Sequence, residues 1–156
     1  MKYARLTKEQ FEEMKQEFIN FLASQSITAD EWSDIKKNQP KVAEQELDVF
    51  SDLVWEGVLK KVEYLEHISP NQIHLFHFPE DSIKLIAIKV NKSDIDLTTK
   101  DGFQWLRDNL IDDKVEIFNS SKDYSEDRGV DKFDLILKGA NITKGELFNY
   151  FDQLIN

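Results

Sequence analysis

The spacing of apolar residues changes once along this chain, near residue 61, and that change limits the folds open to it. Before it, Phe11, Met14, Phe18, Phe21 and Leu22 recur every three or four positions, which lays them along one stripe of a helix. After it, Val62–Ile68, Ile73–Phe78 and Ile83–Val90 are continuous or alternating apolar runs. Ser69-Pro70-Asn71-Gln72 and Pro79-Glu80-Asp81-Ser82 punctuate them as the turns of a three-strand meander. In the third run Ile83, Leu85 and Ala87 lie on one parity and Ile86, Ile88 and Val90 on the other, as in a strand covered on both faces. Helices first and strands afterwards give an α+β class. The expectation is a mixed, mainly antiparallel sheet of about four strands, with an N-terminal three-helix layer over about 7–60 and helices in the sheet-containing part, about 62–156. No linker separates the parts, so they read as two layers of one domain, 1–156.

Three helix starts share one design, a Thr cap with Gln or Glu three residues later and apolar residues on either side. Leu6, Thr7, Gln10 and Phe11 open a helix expected over about 8–24. Ile27, Thr28, Glu31 and Trp32 open a second that stops near Asn38, because a residue preceding Pro40 disfavours the helical conformation. Pro40 itself suits a first turn and opens a third helix to about Lys60. The remaining start, Ile142, Thr143, Glu146 and Leu147, leads a C-terminal helix burying Leu147, Tyr150, Phe151 and Leu154.

Between these, Thr98 or Thr99 caps a helix bearing Phe103, Leu106 and Leu110, and Val115–Phe118 reads as a fourth strand. The intervening length permits a parallel crossover from the third strand. Asn119–Asp131 is polar and charged, the expected mobile loop. Phe133, Ile136 and Leu137 fit a helix ended by Gly139, although Phe133, Leu135 and Leu137 also fit a strand.

The chain has 156 residues, 40% of them hydrophobic, enough to offset chain entropy without covalent staples. There are no cysteines, which removes disulfides, thiolate metal sites and cysteine nucleophiles and suits a reducing compartment. Residues 1–10 hold no apolar leader and no stretch is long and apolar enough to span a bilayer, so a cytoplasmic setting without membrane association is expected. Thirty acidic against twenty basic residues give a net charge of −10, a field that repels phosphate backbones and argues against nucleic acid as a partner.

Gly-rich phosphate loops, a Walker lysine, His-Glu-x-x-His and Gly-x-Ser-x-Gly are all missing, which weighs against an enzyme and implies no cofactor. The three histidines fall within one predicted hairpin. A turn at Ser69–Gln72 sets His67 opposite His74, and with Glu63 these make a conceivable two-His, one-carboxylate metal site; His77 is the third histidine of the hairpin. Partly exposed sheet histidines are the plainer explanation. Glu44, Asp48, Asp52 and Glu56 stand at successive i+4 positions of the third helix, a carboxylate ridge interrupted by Trp55 and Leu59. Either another layer covers Trp55 and Leu59, or together with Asp52 and Glu56 they form a surface for a protein partner or for self-association. Asp94, Asp96, Asp112 and Asp113 sit at strand ends, where turn and cap roles compete with magnesium binding. Asn141-Ile142-Thr143 is read as helix-start chemistry rather than a glycosylation acceptor.

Four segments, Phe18–Trp32, Ala43–Gly57, Asp96–Leu106 and Ile142–Leu147, resemble an uncharacterised family of small acidic proteins from the Bacteroidetes group of bacteria. The resemblance spans nearly the whole chain and implies no activity, ligand or catalytic residue. The sequence therefore leads to a non-enzymatic, cytoplasmic interaction or regulatory module, with a small metal-dependent hydrolase using His67, His74 and Glu63 as the alternative.

Overall fold

The computed structural model describes residues 1–156 and divides into two compact units, Met1–Lys60 and Lys61–Asn156. The division falls where the apolar spacing changes.

The first unit is helical: α1 (Lys8–Glu13), α2 (Lys15–Ser24), α3 (Ala29–Asn38) and α4 (Pro40–Lys61). At α1 the Thr7 hydroxyl accepts from the Gln10 N–H while the Gln10 side chain accepts from the Thr7 N–H, a complete capping box. At α3 the Thr28 hydroxyl accepts from the Glu31 N–H at 3.2 Å. The expected single helix over about 8–24 is instead broken at Met14 (φ −106°, ψ 25°), whose N–H is shared between the Gln10 and Phe11 carbonyls. The break leaves all three phenylalanines of this stretch on one ring of α4: Phe11, Phe18 and Phe21 lie 6.0, 5.0 and 5.4 Å from Phe50. Trp32 closes the cluster, edge-on to Phe18 at 5.3 Å. Aromatic pairs at such spacing add about 0.5–1.5 kcal/mol each beyond burial, so Phe50 is the centre of this unit's core.

The second unit is built on an antiparallel sheet of five strands: β1 (Tyr64–Ile68), β2 (Gln72–His77), β3 (Ile83–Val90), β4 (Val115–Lys122) and β5 (Asn141–Thr143), in the order β4-β3-β2-β1-β5. The α+β class holds, with two corrections to the expected sheet. β4 pairs antiparallel with β3, Val115 opposite Val90, where a parallel crossover was permitted. Across the connection that carries α5 (Lys100–Asp108), the Asn91 N–H donates to the Lys114 carbonyl at 2.8 Å, which fixes the start of β4 beside the end of β3 and forces the antiparallel sense. The chain thus re-enters at the end it left. The second correction is the extra strand β5, which pairs Thr143 with Tyr64 and Ile142 with Leu65.

That pairing also overturns the Thr143 cap expected for the C-terminal helix, although the helix itself forms. Thr143 belongs to the sheet and its hydroxyl accepts from the Gly145 N–H at 3.1 Å, while α7 (Glu146–Ile155) begins after Gly145 at φ 85° without a side-chain cap. Only glycine fits there: a Cβ would lie 2.6 Å from the Tyr64 ring. The stretch 119–131 is likewise more ordered than its polarity suggests. Asn119–Lys122 completes β4, the Ser125 N–H and hydroxyl both donate to Asp131, and Asp127 caps α6 (Arg128–Leu137). The segment bearing Phe133 is thus helical.

Two apolar clusters flank the sheet. One face buries Ile73, Leu75, Ile86, Ile88 and Val90 with Leu106 of α5 and Phe148 and Phe151 of α7. Phe151 is fully buried, which stabilises the fold by about 2–3 kcal/mol. On the other face Leu65 and Ile83 gather Val62, Phe78 and Ala140, backed by Leu135 and Ile136 of α6. Lys132 of α6 is buried here, its Nζ donating to the Val62 carbonyl at 2.8 Å and lying 5.5 Å from the Phe78 ring centre; burial lowers its pKa. No helix is long and apolar enough to cross a membrane.

Candidate functional site

The carboxylate ridge of α4 is engaged by the chain itself. Asp52 accepts two backbone N–H groups, from Lys2 at 2.7 Å and Tyr3 at 2.8 Å. Glu56 accepts from Lys2 Nζ at 3.1 Å and the Tyr3 hydroxyl at 2.8 Å, and Asp48 accepts from Arg5 Nε at 2.7 Å. The buried Ser51 hydroxyl accepts from the Leu6 N–H and donates to the Leu47 carbonyl. Residues 2–6 are thereby fastened along the helix, with Tyr3 and Leu6 buried. The Arg5 guanidinium holds the Asp48 carboxyl below its ordinary range, against a small opposing effect of burial. Burial, then the bond to Glu56, raises the Tyr3 phenol.

Of the residues expected at a docking surface here, Leu59 is buried at 1% exposure and is not presented. Trp55, Asp52 and Glu56 are half-buried. The sequence shows the ridge but not its cover, because Tyr3 and Asp52 are 49 positions apart.

His67 does face His74 across β1 and β2. The His67 ring lies against Gly139, and burial, with His67 as the lesser cause, lowers the His74 pKa. The third histidine does not join this pair. His77 projects from the opposite face and stacks on Tyr64 at 4.5 Å. Burial and then Lys84 lower its pKa, with Glu63 and Asp152 acting the other way. No three His, Asp or Glu side chains converge to hold a metal ion, so the alternative built on His67, His74 and Glu63 lacks its third ligand.

The strand-end aspartates serve turns. Asp94 pairs with Lys92 at 2.9 Å, Asp96 accepts from the Thr98 N–H and hydroxyl, and Asp112 accepts from the Lys114 N–H at 2.8 Å. These bonds hold Asp94 and Asp96 below the ordinary carboxylate range. Asp113 is exposed.

An apolar recess of the first unit lies between α2 and α3. Phe18, Ile19 and Leu22 of α2 and Trp32 of α3, with Ile27 from the turn between them, line a cleft of about 330 Å³. Both charged residues that line it are lysines, Lys15 and Lys36, and Lys36 Nζ lies 5.9 Å from the Trp32 ring centre. Sequence reasoning missed this cleft, though one signal was present: Ile19 sits off the stripe of Phe11, Phe18 and Phe21, and it remains 48% exposed.

A family model, the family of unknown function DUF6495, matches residues 1–156. The chain belongs to this family. Neither the curated proteins nor the solved structures contain a match. As a member of DUF6495 the chain inherits no ligand or reaction, so its chemistry must be read from its own surfaces.

Proposed function

We propose that this protein is a non-enzymatic, cytoplasmic interaction module that seats a short segment of another protein in the cleft between α2 and α3. The observation that carries the reading is the pairing of an apolar floor, Phe18, Leu22 and Trp32, with a rim whose only charges are Lys15 and Lys36, in a chain of net charge −10. The volume stands at the lower end for ligand sites, which suits one or two bulky side chains rather than a large cofactor. Lysines beside an apolar floor favour an anchor residue, aromatic or Leu, next to an Asp or Glu, since a carboxylate gains most where water is partly excluded. The absence of cysteines agrees with a reducing cytoplasm.

Random-peptide display against the immobilised protein tests this. Selected peptides should carry the apolar–acidic pair and bind Ile19→Glu at least about tenfold more weakly, a difference of about 1.4 kcal/mol. Ile19 is exposed, so the variant keeps its core. Peptides lacking the pair, or binding Ile19→Glu as tightly as the wild type, would refute the proposal.

A further inference from the structure

β4 is one of the two outer strands of the sheet, and all eight of its residues, Val115–Lys122, run in unbroken register with β3. The Asn91 N–H donates to the Lys114 carbonyl at 2.8 Å, and residues 91 and 114 continue the same register. In an antiparallel ladder hydrogen-bonded pairs alternate with non-bonded ones, so the even-numbered residues of β4 bond to β3. Ile117, Asn119 and Ser121 then direct their N–H and C=O groups outward, away from β3. Natural sheets blunt such an edge with proline, a bulge or a covering element. β4 has no proline and no bulge, and no further strand pairs with it.

We propose that two copies of this chain pair through β4, antiparallel about a two-fold axis beside Asn119, so that one sheet continues through both. The occupant of the edge is a second copy because the strand is complementary to itself in this register. Asn119 faces Asn119, and Ile117 faces Ser121, so every outward backbone group from 117 to 121 meets its counterpart. Glu116 faces Lys122 on either side of the axis, in the closely spaced non-bonded pairs where opposite charges attract most. Phe118, 54% exposed, approaches its symmetry mate diagonally across the axis, within reach of an aromatic ring. Neighbouring registers lose this match. An axis beside Phe118 sets Lys114 against Lys122, and one beside Ser120 leaves Glu116 opposite Tyr124 with no ion pair.

Sedimentation equilibrium of the full chain from micromolar to millimolar concentration tests the proposal. The wild type should populate a dimer, and Glu116→Lys or Lys122→Glu alone should each weaken it at least about tenfold, because attraction becomes repulsion at two symmetric places. Lys122→Glu leaves the bond from Asn91 Nδ2 to Glu116 intact, so it separates the interface from that local contact. Mixing the two single variants should restore association as a heterodimer, since each then meets its opposite charge. A wild type that stays monomeric overturns the proposal. So does a dimer that neither reversal weakens, or variants whose mixture does not associate.

Discussion

Replacing Asp52 with alanine should release the backbone of Lys2 and Tyr3 from α4. The carboxylate accepts the Lys2 N–H at an exposed position and the Tyr3 N–H at a partly buried one. Bonds to charged groups contribute about 1.5–3 kcal/mol when shielded and much less when exposed, so we assign about 1.5 kcal/mol to Tyr3 and about 0.5 kcal/mol to Lys2. The sum, about 2 kcal/mol, corresponds to a fall of about 1 M in the urea midpoint for a slope near 2 kcal/mol/M. Asp52→Asn keeps an acceptor but loses the charge and should fall about half as far. Amide exchange adds a local readout: protection at Lys2 and Tyr3 should vanish in Asp52→Ala, while the Phe50 core keeps its own. A midpoint shift below about 0.2 M, or unchanged protection at Tyr3, would show that the ridge does not hold the segment.

Two further substitutions probe the second unit. Gly102→Ala should cost at least about 3 kcal/mol, because its Cβ would lie 1.8 Å from the Asp96 carbonyl oxygen and force the turn ahead of α5 to move; a variant as stable as the wild type in urea would refute this. His74 is held below its ordinary pKa of 6.5, chiefly by burial, so as pH falls through 6.5 the unfolded chain takes up the proton first and the native state loses stability. His74→Gln should flatten the decline in unfolding free energy between about pH 7 and 5.5; a slope equal to wild type would rule out His74 as its source.

Much of the second unit was legible because strong local signals agreed with tertiary structure. The turn at Ser69–Gln72 set the register of β1 and β2, and the apolar parities of β3 marked it as interior. What stayed hidden had weak or competing signals. Asn119-Ser120-Ser121 carries no apolar code, since an edge strand on an exposed margin has little to bury. Thr143 fits a helix cap locally, but pairing with Tyr64 claims its backbone for the sheet. Met14 lies in a run without Gly or Pro, and the break there serves the packing on Phe50. The candidate cleft was hidden for a related reason: Trp32 and Ile27 read as partners of a helix start, and only the placement of α3 against α2 turns them into a wall.

The fastening of residues 2–6 has a consequence for how the protein is made. The Tyr3 donor is synthesised 49 residues before its acceptor, Asp52. At about 5–20 residues per second that is a delay of roughly 2–10 s. In this interval the segment, with the cations of Lys2 and Arg5, is unheld and accessible to a chaperone near the exit tunnel. Once α4 emerges, its carboxylates withdraw the segment from such encounters, so co-translational handling of Lys2–Leu6 has an early and brief opportunity.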